Sequence, residues 1–371
     1  MKDYDFIIIG AGVAGCNVSE QLVRSTIGKK ILLIDKNKDV AFGASGAAGA
    51  FLSPLLGKPN KFKDLVTKSL IYSTEFYKNN FPSFIDNCGT TRIPKNNEDN
   101  EKFKEYIPYL DFDFKKDGNG YFFPIGSVVQ SYEICKNMIN SIKNSIDTRF
   151  EYEVKTLCHK NDLWCINDEY TAKNIILTTG ADKSLIDEKY IKIRVVWGRR
   201  FDILTSTSVK HNYHKECSVS KGEKNEENRY KVSIGATHQR EFKNLSDIDG
   251  SFKELIDKAS DIINLDNIEI VSNYVGSRAC SIDYFPIVGD IINSKKTIEE
   301  FPYLKNGTKV NHDRFTRYKN IFILNGLGGR GFVLAPYTAK ILVEYIVSDI
   351  EIDDSIKIDR LFKKEVKRGN I

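Results

Sequence analysis

The sequence predicts an α/β protein, α+β overall: a parallel, Rossmann-like sheet built from discontinuous segments, roofed by a second, mixed sheet. Three observations predict it. Short apolar runs that end at glycine stand at the start, middle and end of the chain, as DFIIIG, NIILTTG and IFILNG. The first run continues through a glycine turn and a helix-spaced stretch into KILLID, a strand–turn–helix–strand unit that sets two strands parallel and adjacent. Between the runs lie alternating segments of strand character, so a second sheet is entered more than once.

Each element follows from its local pattern. Residues 4–9 read as a buried strand, 16–26 as a helix with Val18, Leu22 and Val23 on one face, and 30–35 as a second buried strand. Residues 41–56 are a small-residue loop, and 62–79 have helical periodicity. A short strand is expected at 90–93, a polar helix at 97–109, an aromatic strand at 121–124 and a helix at 132–146. Residues 150–167 read as a meander of short strands, and 174–179 as another buried strand. Residues 195–234 alternate, interrupted by KHNYHKECSVSKGEKNEENR, whose polarity predicts an exposed loop. A helix at 255–265 and strands at 268–279 and 321–324 follow, and Pro336 is expected to open a last helix to about residue 348. The basic tail KIDRLFKKEVKR reads as a solvated face.

Composition narrows the class. The 371 residues suit two domains, and 41% hydrophobic with 28% charged residues is a globular balance. A net charge of +5, from 55 basic and 50 acidic side chains, is too small to mark a nucleic-acid binder by bulk charge. Seven cysteines without a CxxC pair argue against a disulfide framework or zinc ribbon and for reduced thiols in the cytoplasm. The N-terminus lacks the basic start of a signal peptide, and no run approaches the ~20 apolar residues of a membrane span. His211 and His214 are close together, but no carboxylate or cysteine partner gives metal spacing, so no metal is expected.

The chemistry begins at Gly10-Ala11-Gly12-Val13-Ala14-Gly15, a GxGxxG between a strand and a helix. Gly10 permits the turn, Gly12 lets a pyrophosphate approach the backbone, and Gly15 lets the helix pack on the sheet. The helix N-terminus offers N–H groups and a positive dipole end to phosphate. Asp35, ending the second strand, is placed for a ribose hydroxyl. The motif alone does not choose between FAD and NAD.

Further segments carry a resemblance. The loop Gly43-Ala44-Ser45-Gly46 with Gly49 and Pro54, the stretch Leu177-Thr178-Thr179-Gly180-Ala181, and Gly326-Leu327-Gly328-Gly329-Arg330-Gly331-Phe332 with Ala335-Pro336 resemble the flavin-contacting segments of the D-amino-acid oxidase and glycine oxidase superfamily. Within it, GASGAAGAFLSPLL, GYFFPIGSVVQSYEIC, IGATHQREF and GSRACSIDYFPIVGD are most similar to the FAD oxidoreductase domain family of bifunctional tRNA methylaminomethyl-2-thiouridine biosynthesis enzymes. On this reading that family's methyltransferase domain is expected to be absent. Trp197-Gly198-Arg199-Arg200 replaces its usual arginine–glycine–glutamine stretch, and Ser127-Val128 its glycine–tryptophan pair.

The resemblance implies bound FAD and oxidation of a carbon–nitrogen bond in an amino-acid-like substrate. It implies release of glyoxylate from carboxymethylaminomethyl-uridine in tRNA, with a separate tRNA methyltransferase as a further partner. A free glycine, sarcosine or D-amino-acid oxidase is the alternative. It also implies an FAD-binding domain over 1–86, 128–192 and 286–371 and a substrate domain over 87–127 and 193–285. Cofactor contacts fall on Gly10, Gly12, Val13, Ala14, Gly15, Asp35, Lys36, Ala44, Ser45, Gly46, Val154, Thr179, Gly180, Gly328, Gly329, Arg330, Gly331 and Phe332. Arg278 matches the position that holds the substrate carboxylate, for which arginine's planar fork is suited, and a salt bridge to Asp283 is its structural alternative. Arg330 is placed to hold substrate or stabilise negative charge. Tyr121 and Tyr274 are candidate pocket residues and His238 lies near the mouth, while Arg199 and Arg200 fit a salt-bridged strand edge better than a phosphate contact.

Overall fold

The structure, a computed structural model, describes residues 1–241 and 247–371. The strand Lys2–Ile9 stands at the centre of the first sheet, parallel to Ile31–Ile34 on one side and Tyr170–Leu177 on the other. Asp147–Arg149 and Arg317–Asn325 extend it outward, also parallel. Ile287–Ile292 closes one edge antiparallel, and the hairpin Leu157–Lys160 with Leu163–Ile166 pairs with the start of Tyr170–Leu177. Because successive side chains point to opposite faces, Phe6 and Ile8 enter one core and Ile7 and Ile9 the other. Burial on both faces explains why this strand reads as a continuous apolar run. Helices Val13–Ser25, Lys61–Asn80 and Gly331–Ser348 pack on the first face. Helix Asp359–Lys367 covers the second.

The second sheet runs in the order Glu269–Ser281, Ile193–Thr205, Tyr230–Gly235, Ser218–Val219, Asn212–His214, Thr90–Arg92, Gly120–Phe123, Lys115–Asp117. It is mixed: Asn212–His214 is parallel to Thr90–Arg92, and the other pairs are antiparallel. A three-stranded sheet of Phe51–Leu52, Ser127–Val129 and Ile85–Asp86 stands apart from both.

Several expectations are corrected. The polar stretch 210–229 is not an exposed loop, because Asn212, Cys217, Val219 and Ser220 are buried and three of its segments are strands. Its buried residues are mostly small or polar and are flanked by lysine and glutamate, so local polarity concealed them. The loop 41–56 contains a helical turn, Ala44–Ala47, and the strand Phe51–Leu52. The helix expected at 132–146 ends at Ser141, making room for the unforeseen strand Asp147–Arg149. The basic tail is no solvated face, since Leu361, Phe362 and Val366 are buried and Arg317 binds Asp359 with two nitrogens, at 3.0 and 2.8 Å. By length and composition, Gly328–Ser348 is apolar enough to cross a membrane, although the sequence pattern was read as lacking any such run; half of its apolar window is buried.

Pro336 does not open its helix, which begins at Gly331. A proline inside a helix leaves the carbonyl four residues earlier without its N–H partner. Here that carbonyl belongs to Phe332, and it accepts a hydrogen bond from the Tyr77 hydroxyl at 3.2 Å. Ser73 donates to the next carbonyl, Val333, at 2.7 Å. The helix Lys61–Asn80 thus satisfies the backbone that Pro336 leaves open. Tyr77→Phe is therefore expected to destabilise the fold by about 1–3 kcal/mol, since a buried acceptor loses its donor. Thermal unfolding checks this, and an unchanged midpoint would refute the account.

Candidate active site

The two sheets meet across one cavity of about 850 Å³ that runs from the Gly10–Val13 turn to Arg278 and Arg330. This lies at the upper end of the range for small-molecule and cofactor sites. At the first end, Gly10 has φ +108°, and a Cβ there would meet the Thr178 carbonyl oxygen at 2.5 Å. Thr178 Oγ1 donates to the Ile9 and Gly10 carbonyls at 3.0 and 2.7 Å. A Cβ at Gly15 would strike the Gly10 carbonyl oxygen at 1.8 Å, so helix and turn touch there. Helix Val13–Ser25 has Gly12 as its N-cap and no side-chain cap, which leaves its N-terminus available to an anion. Ser45 Oγ accepts from the Val13 amide at 2.9 Å, joining the 41–56 loop to the helix start. Asp35 accepts from the Ala11 amide at 2.6 Å and, through its other oxygen, from Asn37. The carboxylate assigned to a ribose thus also holds the glycine turn in place.

At the second end stand cations without ion pairs. Arg278 Nη1 donates to the Trp197 and Thr237 carbonyls at 3.4 and 3.2 Å. Asp283 is not its partner, because Arg360 takes both Asp283 oxygens, at 3.0 and 3.1 Å. Burial pulls Arg278 below the ordinary arginine value. Arg330 Nη1 donates to the Ser53 carbonyl at 3.2 Å, and burial lowers it to about 10. Among the described residues neither arginine has a carboxylate partner. Gly198 and Gly276, opposite each other in the strand pair, make the space: a Cβ at Gly198 would meet Arg278 Nη2 at 2.5 Å, and one at Gly276 would meet Ala44 Cα at 2.9 Å.

The cavity lining includes Lys36, Ala44, Val154, Thr179 and Gly180 together with the glycine turn. It also includes Ala14, Gly328, Gly329, Gly331 and Phe332. Gly15 and Gly46 are not on the wall. Gly15 faces Gly10, and Gly46 lies against the Ala41 carbonyl, where a Cβ would come within 2.3 Å. Tyr121 packs with Phe103 and Phe123 in a separate core, and Tyr274 lies under Arg200, whose guanidinium carbon is 4.1 Å from the ring centroid. Arg199 and Arg200 are buried, and Arg200 pairs with Asp202 at 3.3 Å, so both stay within the sheet. His238 borders the cavity; the IGATHQREF stretch ends at Phe242, outside the described residues.

Two bordering residues were missed in the sequence. His214, read as a loop residue, lies on a strand at the cavity, with Nδ1 at 2.7 Å from Ser218 Oγ. Burial, then the charges of Arg92 and Arg330, push it well below its usual value. Arg92 ends the Thr90–Arg92 strand and lines the same wall. Its signal in the sequence was a lone arginine closing a strand of threonines, which no motif distinguishes.

A helix N-terminus bared at a glycine turn, joined by one cavity to unpaired guanidinium groups, is the architecture of an enzyme that holds a dinucleotide and an anionic reactant together. The chain matches the DAO family, described as FAD dependent oxidoreductase, over residues 5–345, and it belongs to that family. It is an FAD-dependent oxidoreductase. It is 23% identical over 390 residues to the tRNA 5-methylaminomethyl-2-thiouridine biosynthesis bifunctional protein MnmC of Campylobacter fetus, covering 99% of this chain and 61% of that protein. The MnmC of Campylobacter jejuni is 25% identical over 360 residues, covering 93% of this chain and 56% of the relative. The chain therefore spans about three fifths of the length of these relatives. Among solved structures, glycine oxidase from Geobacillus kaustophilus superposes with a TM-score of 0.71 at 15% identity, covering 95% of this chain and 96% of its own. Iminodiacetate oxidase from Chelativorans sp. gives 0.69 at 15% identity, covering 95% and 99%. These two show the shared fold.

Gly12→Glu is expected to abolish FAD retention without unfolding the protein, because a Cβ at Gly12 already reaches Ser45 Oγ at 3.1 Å and a carboxylate there meets the phosphate site. A purified, folded variant that stays yellow refutes that assignment. His214 yields a pH prediction. Its folded value lies below its unfolded one, so the unfolded chain binds more protons and stability falls as pH drops below about 6.5. Urea midpoints between neutral and mildly acidic pH should fall less steeply in His214→Asn; equal slopes would exclude His214 as a source.

Proposed function

We propose that the chain oxidises the carbon–nitrogen bond of an N-carboxymethyl amine, and that its preferred substrate is carboxymethylaminomethyl-uridine in tRNA. The observation that carries this reading is Arg278, an arginine on the cavity wall with two backbone carbonyls and no carboxylate as partners. A guanidinium left in that state is suited to a substrate carboxylate, which it can grip bidentately. The MnmC relatives, aligned along nearly the whole chain, support the tRNA substrate. On this reading a separate tRNA methyltransferase in the cytoplasm acts on the product. We assign 1–86, 128–192 and 286–371 to the FAD-binding domain and 87–127 and 193–285 to the substrate domain.

The residues present fit FAD. Gly10, Gly12, Val13 and Ser45 would hold the pyrophosphate, Asp35 and Lys36 the ribose end, and Gly328–Gly331 the ring system. Bound there, FAD supplies the two-electron oxidant. Arg278 fixes the carboxylate, so the adjacent methylene is held in one position. Partial desolvation and then the Arg278 charge lower His238, which leaves a neutral imidazole at the mouth near pH 7. The net reaction consumes one water and yields glyoxylate and the primary amine.

A second reading, oxidation of free glycine, sarcosine or a D-amino acid, is favoured by the charge of the lining. Arg194 and Arg240 border the cavity together with Glu153, Asp182 and Glu216, whereas a tRNA mouth would be more uniformly basic. The two readings separate in one experiment. Flavin absorption is followed anaerobically as tRNA carrying carboxymethylaminomethyl-uridine, then glycine, then sarcosine is added. Loss of absorption with tRNA supports the first reading; loss only with the small amines supports the second.

Arg278→Ala is expected to weaken substrate binding by about 1.5–3 kcal/mol, roughly ten- to a hundredfold, with FAD still bound. Anaerobic reduction rates across substrate concentration measure it. An unchanged rate at low substrate removes Arg278 from the site.

A further inference from the structure

Arg92 is a third guanidinium on the wall of the same cavity. It closes the strand Thr90–Arg92, in register with His214 on the neighbouring strand. Its Nη1 donates to the Pro54 carbonyl at 2.9 Å, and its Nε is sealed from solvent without a hydrogen-bond partner. Arg330 donates to the preceding carbonyl, Ser53. Two guanidinium groups therefore grip consecutive carbonyls of one loop. Burial, and then Arg330 itself, lower Arg92 to about 9, so the two charges act on each other, and both remain cations at neutral pH.

Among the described residues, neither Asp99, whose charge reaches Arg92, nor Glu216, which borders the cavity, forms an ion pair with Arg92 or Arg330. The charge of Asp99 is felt at Arg92, but no ion pair forms, and Asp99 accepts from the Lys95 amide instead. Glu216 borders the cavity as an exposed residue. Two desolvated like charges are costly, and partners that supply an anion relieve that cost. The cradle at Gly12 is made by a helix N-terminus and Ser45, and neither Arg92 nor Pro54 belongs to it.

We propose that Arg92 and Arg330 form a second anion subsite beside Arg278, so that the substrate is an N-carboxymethyl amine whose other arm carries a carboxylate or a phosphate. The proposal rests on the oxidase reading above and narrows its substrate class. Arg278 takes the carboxylate of the oxidised arm, and the Arg92–Arg330 pair takes the anion of the other. Glycine and sarcosine, with one carboxylate, leave the second subsite unfilled.

The test uses the FAD-bound full chain and equilibrium binding read from flavin absorption. The probes are succinate, its matched monoanion monomethyl succinate, and 3-phosphonopropionate. Succinate or 3-phosphonopropionate should bind at least about tenfold more tightly than monomethyl succinate, as a second charge-assisted contact implies. A preference for succinate identifies a dicarboxylate source, and a preference for 3-phosphonopropionate a phosphate source. Arg92→Gln should bring the ratio close to one, while Arg92→Lys should keep most of it, which separates lost charge from lost folding. Equal affinities in the wild type, or a ratio unchanged in Arg92→Gln, overturn the proposal. If Arg92→Gln alters the unliganded flavin spectrum but not the ratio, the pair serves the cofactor and the proposal falls. Arg278→Gln controls for the underlying reading: it should weaken all three probes. If no probe perturbs the flavin in either protein, the oxidase reading fails and takes this proposal with it.

Discussion

Positive charge enclosed without a counter-ion among the described residues is the constraint on which the rest of this structure depends. Arg92, Arg278 and Arg330 converge on one cavity, and backbone carbonyls are their hydrogen-bond partners. Carbonyl dipoles orient a guanidinium but leave its charge uncompensated. Holding such groups in place requires a rigid frame, which the two long strands Ile193–Thr205 and Glu269–Ser281 supply. Their paired glycines, Gly198 and Gly276, then set how closely frame and loop approach. One opens a slot for the Arg278 guanidinium, and the other admits the Ala44–Ala47 turn. The small residues of the 41–56 loop follow from that approach as much as from any ligand contact.

The opposite end of the cavity is organised by backbone rather than by charge. Gly10, Gly15 and Thr178 touch at distances that leave no room for a Cβ, so the helix N-terminus is fixed against two parallel strands. Asp35 braces the Ala11 amide, and Ser45 braces the Val13 amide. The cavity thus offers backbone amides and a helix dipole at one end and guanidinium groups at the other. Just behind the cavity wall, Tyr77 closes the hydrogen-bond gap opened by Pro336 and Ser73 bonds the next carbonyl, so the helix that Arg330 introduces keeps its line.

The sequence displayed the first end far better than the second, for a physical reason. A phosphate-binding turn is local: its strand, glycines and helix lie within residues 2–25, and each requirement leaves a mark in the string. The arginine end is assembled from residues 92, 278 and 330, brought together by sheet pairing across long separations. Arg278 and Arg330 were visible through motif resemblance. Arg92 was not, because a single arginine after two threonines carries no periodic or spacing signal. The stretch 210–229 failed differently. Its strands have two or three residues each, too short for alternation to stand out from lysine and glutamate, so His214 passed for a loop residue.

The placement of His214 ties the second sheet to the electrostatics of the cavity. Pairing with Arg92 sets the imidazole beside two guanidinium groups, and burial together with their charges disfavours its protonation. A further positive charge is thereby kept out of the wall near neutral pH. The arginines, although lowered, stay charged. Over that range the three guanidinium groups are a fixed set of cations, so the charge they offer an anion does not vary with small changes in pH.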